Sequence, residues 1–101
     1  MSGRRSRDKG ARTERAIVRL LQGEGIAATK ISGIYKPGAD ISMPLLGNDR
    51  VVEVKCRAAG FAQLYHWLVG RDILIVKAGH KEPLVIMRLS LATDIAKKAA
   101  A

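Results

Sequence analysis

Two short apolar segments separated by a tight-turn signal constrain this fold more than any other feature of the chain. The first begins at Gly38-Ala39-Asp40-Ile41 and continues to Leu45, and the second runs from Arg50 to Arg57. Gly47-Asn48 between them is typical of a two-residue turn, so the pair predicts an antiparallel hairpin. We expect its strands to span about Ala39 to Leu45 and Arg50 to Arg57.

The period of two along a strand predicts which side chains of this hairpin share a face. With the turn centred on Gly47-Asn48, Ser42 lies across from Glu53 and Asp40 lies across from Lys55, so all four are on one side. The opposite face carries side chains that we expect in the core: Val52, Val54 and Cys56.

The shared face suggests a metal site. Asp40 and Glu53 are expected to be diagonal neighbours, and carboxylate oxygens suit Mg²⁺ or Mn²⁺, whereas one cysteine and two histidines offer no zinc spacing. Such an ion polarises a phosphoryl oxygen, and Lys55 is placed to orient water or to stabilise charge on phosphorus. The alternative is an exposed hairpin face whose Glu and Lys side chains serve solubility.

Charge indicates the kind of partner. The 101 residues include 18 Lys and Arg against 9 Asp and Glu, a formal net charge of +9. This excess favours a partner rich in phosphate, with a merely basic protein or a surface for anionic lipid as alternatives. We interpret residues 1–8 as a flexible basic arm and residues 9–101 as a single domain.

Location follows from what the sequence contains. The apolar runs fall short of the roughly 18 residues that a membrane span needs, so we expect no membrane contact. A single cysteine gives no internal disulfide and no sign of an oxidising compartment. The default expectation is a cytoplasmic protein.

A first helix is predicted from about Lys9 to Gly23. Its apolar stripe of Ile17, Val18 and Leu21 also includes Glu14 at helical spacing. Burying an unpaired carboxylate costs several kcal/mol. Glu14 therefore either lies at the edge of the stripe, paired with a neighbouring arginine, or meets a cation inside the fold.

The remaining elements follow from periodicity and turn residues. We expect a short strand at residues 26–31, a helix at 60–69, a central buried strand at 72–77, a last strand at 84–89 and a closing helix at 91–98. The order helix, three strands, helix, two strands and helix predicts an α/β domain built around a mixed sheet.

Four motifs in this order resemble the PD-(D/E)XK nuclease superfamily, and within it the archaeal-type Holliday junction resolvases. They are Lys9-Gly10-x-x-x-Glu14-Arg15, Ser32-Gly33, Gly38-Ala39-Asp40-Ile41 and Glu53-Val54-Lys55. The resemblance implies a restriction-endonuclease-like mixed sheet of about five strands flanked by helices. It extends from about Lys9 to Lys77.

The resemblance also implies a role for each matching residue. Asp40 and Glu53 would be the main metal ligands, Glu14 a third acidic residue that approaches the metal, Lys55 the active-site lysine, and Ser32 a loop serine near the scissile phosphate. The implied activity is Mg²⁺- or Mn²⁺-dependent, structure-selective cleavage of branched DNA.

Two partners follow from that implied activity. Symmetric cutting of a four-way junction needs two active sites, so a homodimer is implied. Phosphate contacts are expected from a set of basic residues: Arg4, Arg5, Arg7, Lys9, Arg12, Arg15 and Arg57. Two alternatives remain: a non-catalytic nucleic-acid-binding protein on a nuclease fold, and a nicking or restriction-like repair endonuclease acting on duplex DNA.

Overall fold

The computed structural model describes the backbone of residues 2–31 and 40–100, and the side chains within 10–31 and 40–100. The predicted order of elements is confirmed. The helices are α1 (Ser2–Gly23), α2 (Ala62–Leu68) and α3 (Leu89–Ala100), and the strands are β1 (Thr29–Lys30), β2 (Ile41–Leu45), β3 (Asn48–Val52), β4 (Ile73–Val76) and β5 (Leu84–Met87).

The fold is mixed α/β, with two small antiparallel sheets in the described part of the chain. One has the order β1-β2-β3 and the other pairs β4 with β5. The expected single mixed sheet of about five strands was wrong for these residues. Each strand here pairs with a neighbour in sequence, and such local pairing requires the closure of only a short loop.

These elements fall into two compact units. The first comprises residues up to Cys56 together with those from Ala96 onward, and the second comprises Arg57–Ile95. The first unit contains α1, the three-stranded sheet and the end of α3. The second contains α2, β4, β5 and the first part of α3.

Helix α1 is longer than the sequence predicts and ends in a well-defined cap. It starts at Ser2, so the helical backbone includes residues that we expected in a flexible arm. At its end the Gly25 amide donates to the Gln22 carbonyl at 2.9 Å, and the Ile26 amide donates to the Leu21 carbonyl at 3.0 Å. This is the Schellman pattern, and it needs the positive φ of 84° that Gly25 adopts.

The core of the first unit lies between α1 and its sheet. Leu21, Ile26, Ala28 and Ile41 are buried, and Ile41 is fully so. Burying a side chain of this size contributes roughly 1.5–3 kcal/mol. Partly buried side chains pack against these four: Ile17, Val18, Met43, Val52, Val54 and Ala96.

The β2–β3 hairpin has the predicted antiparallel pairing but a different register. Its two-residue turn is Leu46-Gly47, not Gly47-Asn48, and Ser42 pairs with Val51 instead of Glu53. The error is two residues along the partner strand, so the predicted faces survive. Consistent with this, Val52 and Val54 pack on the core while Val51 is exposed.

The second unit contains a predicted helix and strands with less burial than expected. Leu68 and Thr93 are its buried residues within the described chain. β4 was expected to be a central buried strand, and this was wrong, since Ile73 and Ile75 are half or more exposed.

In the described parts of the chain, none of the helices has the length and apolar character to cross a membrane.

Candidate active site

Asp40 is fixed beside the Glu53-Val54-Lys55 segment by main-chain and side-chain hydrogen bonds. Its backbone amide donates to the Val52 carbonyl at 3.0 Å, and its Oδ2 accepts the Val54 amide at 2.6 Å. On the other side, the Ile31 amide donates to the Asp40 carbonyl at 3.0 Å. Asp40 is thus held between the residue that follows β1 and the residues that follow β3.

The local pairing explains why the Asp40 side chain turns toward Val54. Ile41 already pairs with Val52 in the β2–β3 ladder, yet Val52 also accepts the Asp40 amide. Two residues of one strand therefore meet a single residue of its neighbour, as in a β-bulge, and bulges redirect side chains. A charged acceptor for a backbone amide gives a short, strong hydrogen bond.

Glu53 and Lys55 lie just beyond the end of β3 and form an ion pair. Lys55 Nζ is 2.9 Å from Glu53 Oε1, and 55% of the lysine side chain and 53% of the glutamate side chain are exposed. Exposed pairs of this kind contribute little to stability. Both side chains are open to solvent and thus accessible to a large ligand.

Glu14 has a partner that the sequence interpretation missed. Lys30 Nζ lies 3.4 Å from Glu14 Oε2, and only 19% of the Glu14 side chain is exposed against 47% for Lys30. The cation in this contact is Lys30 and not the expected neighbouring arginine. The signal for Lys30 is a spacing of two: Ile26 and Ala28 are buried, and Lys30 follows them at the same spacing, which directs it to the same side.

The predicted site residues thus fall into two groups that are described by separate contacts. Asp40 is brought to the backbone of the Glu53–Lys55 segment, whereas Glu14 contacts Lys30. Lys30 pairs with Ile41 across the sheet, so it lies on the face that packs against α1. Within the side chains described, 10–31 and 40–100, no three His, Cys, Asp or Glu groups gather closely enough to hold an ion.

The remaining sequence-based predictions concern Ser32, the basic residues and Cys56. Ser32 lies outside the described residues, as do the side chains of Arg4, Arg5, Arg7 and Lys9, although their backbone belongs to α1. Arg12 and Arg15 are exposed on α1, and Arg57 is exposed at the start of the second unit. Cys56 was expected in the core, and this was wrong, since it is exposed.

The candidate ligands near Asp40 are carboxylates, a ligand type that suits a small divalent cation. Mg²⁺ in proteins is commonly held by one or two carboxylates, with water and substrate phosphate completing its octahedron. Asp40 offers a carboxylate whose orientation is set by Val54, and Glu53 offers a second on the same segment. These two residues are the candidate ligands, and a third protein carboxylate is not required.

Comparisons with known proteins add no family assignment. Set against protein-family models, curated proteins and solved structures, the chain matches none of them. The candidate site is therefore argued from its own residues.

Proposed function

We propose that this chain is a metal-dependent DNA endonuclease of the PD-(D/E)XK type, structure-selective and similar to a Holliday junction resolvase. The observation that carries the proposal is the hydrogen bond from the Val54 amide to the Asp40 carboxylate. It joins Asp40, which precedes β2, to the Glu53–Lys55 segment, which follows β3. The resemblance to the nuclease superfamily requires this combination. The order of helices and strands is the predicted one, although the described strands form two sheets and not one.

In this proposal each site residue has a distinct task. Asp40 and Glu53 hold a divalent cation, which would supply polarisation of the phosphoryl oxygen when bound. Lys55, already beside Glu53 at 2.9 Å, orients the attacking water or stabilises the negative charge that develops on the phosphate. Glu14 and Ser32 are proposed as assisting residues, Glu14 through its position on α1 and Ser32 through the segment that leads to Asp40.

The proposed partner is DNA, engaged chiefly through phosphate. The net charge of +9 supports binding driven by counterion release. Arg12 and Arg15 are exposed on the helix that also carries Glu14, and we propose that they contact the phosphate backbone. We propose a homodimer, because paired cuts across a junction need two such sites, and a cytoplasmic setting, in which a lone cysteine stays reduced.

Cleavage of labelled substrates tests the proposal. Purified protein is incubated with Mg²⁺ and either a four-way junction or a linear duplex of the same sequence. Glu53→Ala serves as the active-site variant, and Asp49→Ala, an exposed carboxylate on β3, serves as the matched control. We expect paired cuts in the junction with the wild type and Asp49→Ala, and none with Glu53→Ala. Cutting that persists in Glu53→Ala contradicts metal catalysis at Glu53. Equal cutting of the junction and the duplex contradicts junction selectivity.

One observation favours a second candidate, a non-catalytic nucleic-acid-binding protein. Glu53 and Glu14 each lie against a lysine of the same chain, Lys55 and Lys30, so both carboxylates already have a cation. A binding protein would use the basic surface alone. Under this alternative Glu53→Ala would leave junction binding intact or tighten it, and neither Mg²⁺ nor Mn²⁺ would support cleavage by the wild type.

A further inference from the structure

The tip of the β2–β3 hairpin holds a leucine in an unfavourable backbone conformation. Leu46 has a positive φ of 54°, and Gly47 beside it has a φ of 79°. Two consecutive positive φ values are typical of the type I′ turn, in which Asn-Gly or Gly-Gly is preferred because a Cβ atom is crowded there. Leu46 is the one described non-glycine residue with a positive φ.

Folding does not account for the choice of leucine at this position. The residue is 69% exposed, so its side chain gains little from burial. Asparagine at position 46 would adopt the same backbone more readily and would present a polar side chain to water. Strained residues that persist without a structural reason are concentrated at functional sites.

The surroundings of Leu46 combine apolar surface with cations. Leu46, Leu45 and Pro44 line a cavity of about 480 Å³, whose other walls include Ile26 and Ala96. Lys97 also lines it and is held by Glu24 at 2.7 Å. Beside the turn, the Arg50 guanidinium donates through Nε to the Leu45 carbonyl at 3.1 Å, which keeps this cation close to the tip.

We propose that the hairpin tip binds an unpaired nucleobase of branched DNA, with Leu46 against the face of the base and the cavity receiving it. The inference rests on the proposed function, because it takes DNA as the partner. Apolar side chains are used by many proteins to separate stacked bases and hold the resulting distortion. Arg50 provides positive charge for the adjoining phosphates.

The position of the tip gives this contact a use in substrate selection. Leu46 lies six positions after Asp40 along an extended chain, which corresponds to about 20 Å along the hairpin. A contact at that distance engages DNA several base pairs from the cleaved phosphate. Unpaired or unstacked bases occur at branch points and not in intact duplex, so the tip favours branched substrates.

The test is DNA binding measured by fluorescence anisotropy in EDTA, which does not depend on cleavage. The probes are a four-way junction, a duplex with one bulged base and a matched intact duplex. The variants are Leu46→Asn, which relieves the backbone conformation, Leu46→Met, which keeps an apolar side chain, and Val51→Thr, a matched change at an exposed apolar residue elsewhere on the hairpin.

We expect Leu46→Asn to raise the melting temperature and yet to weaken binding to the junction and the bulged duplex by about fivefold or more. Intact duplex affinity should stay within about twofold, and Leu46→Met and Val51→Thr should resemble the wild type. A 2-aminopurine at the bulge should brighten on binding of the wild type and stay quenched with Leu46→Asn.

The outcomes separate this inference from the proposed function. Junction cleavage by the wild type, with unchanged junction and bulge affinity in Leu46→Asn, overturns the inference and leaves the nuclease proposal in place. Selective loss of affinity in Leu46→Asn without any wild-type cleavage supports the inference and contradicts the nuclease proposal. A wild type that binds none of the three DNA probes overturns both.

Discussion

The carboxylate of Asp40 accepts the backbone amide of Val54 at 2.6 Å. This contact links Asp40, which precedes β2, to the segment that follows β3. It brings the charged Asp40 side chain to the segment that carries Glu53 and Lys55. The same contact serves stability and the proposed chemistry, and substitutions can separate the two roles.

Substitutions of Asp40 measure how much this hydrogen bond contributes to stability. Asp40→Ala removes the acceptor of the Val54 amide and should lower the free energy of unfolding by about 2 kcal/mol, the usual value for a hydrogen bond to a charged group. Asp40→Asn keeps an acceptor oxygen and should lose less. Urea unfolding measures both losses, and a larger loss for Asp40→Asn than for Asp40→Ala would show that the 2.6 Å contact is not a stabilising hydrogen bond.

Lys55 should matter for cleavage and hardly at all for folding. Its pair with Glu53 is more than half exposed on both sides, so Lys55→Met should change the free energy of unfolding by less than about 1 kcal/mol. Junction cleavage should fall by about 100-fold or more, since a stabilising charge at the phosphate is lost. The rate is read under single-turnover conditions, with Lys81→Met, an exposed lysine of the second unit, as the control. Equal rates for Lys55→Met and Lys81→Met would remove Lys55 from the mechanism.

The Glu14–Lys30 pair should be stronger than the other described long-range ion pair. Only 19% of the Glu14 side chain is exposed, so Lys30→Met leaves a mostly buried carboxylate without its cation and should destabilise the protein by about 1–2 kcal/mol. The comparison is Lys97→Met, whose pair with Glu24 is 46% and 41% exposed and should contribute at most about 0.5 kcal/mol.

A double-mutant cycle isolates that interaction. Combining Lys30→Met with Glu14→Gln removes both charges, and the loss in the double variant should be smaller than the sum of the single losses. Thermal and urea unfolding supply the four stabilities. Strict additivity would mean that the 3.4 Å contact contributes no coupling energy.

Arg88 should stabilise the second unit through the end of α2. Its guanidinium donates to the carbonyls of Leu68 at 3.1 Å and Arg71 at 3.0 Å, and Leu68 is the buried residue of that helix. Arg88→Ala should increase hydrogen exchange at α2 amides, corresponding to a loss of about 1–2 kcal/mol. Arg71→Ala, which removes a side chain that donates to the adjacent Gly70 carbonyl, is the control. Equal exchange in the two variants would contradict a bridging role for Arg88.

Local patterns in the sequence predicted the element order and the faces of the hairpin, because both depend on periodicity. The turn was misplaced because asparagine is a better turn residue than leucine, and nothing in the local pattern signals that Leu46 adopts a positive φ. Cys56 was misassigned because β3 ends at Val52, and four residues beyond that end the alternation of a strand no longer holds.

Contacts between distant segments were harder to predict. The position of Glu14 on an apolar stripe indicated that it would need a cation if buried but not which one, and the partner Lys30 emerges only from the structure, in which Ile26 and Ala28 are buried at the same spacing of two. Whether the strands β1–β3 and the strands β4–β5 join into one sheet depends on non-local contacts, and periodicity carries no such information. That is why the two sheets were expected to be one.

Single-turnover cleavage of a labelled four-way junction tests whether the Asp40 and Glu53 carboxylates support metal-dependent hydrolysis. Wild type, Asp40→Asn and Asp49→Asn are compared in Mg²⁺ and again in EDTA. We predict paired cuts in Mg²⁺ by the wild type and by Asp49→Asn, no cuts by Asp40→Asn, and no cuts in EDTA. Cleavage by Asp40→Asn at the wild-type rate, or no wild-type cleavage in either Mg²⁺ or Mn²⁺, would contradict this prediction.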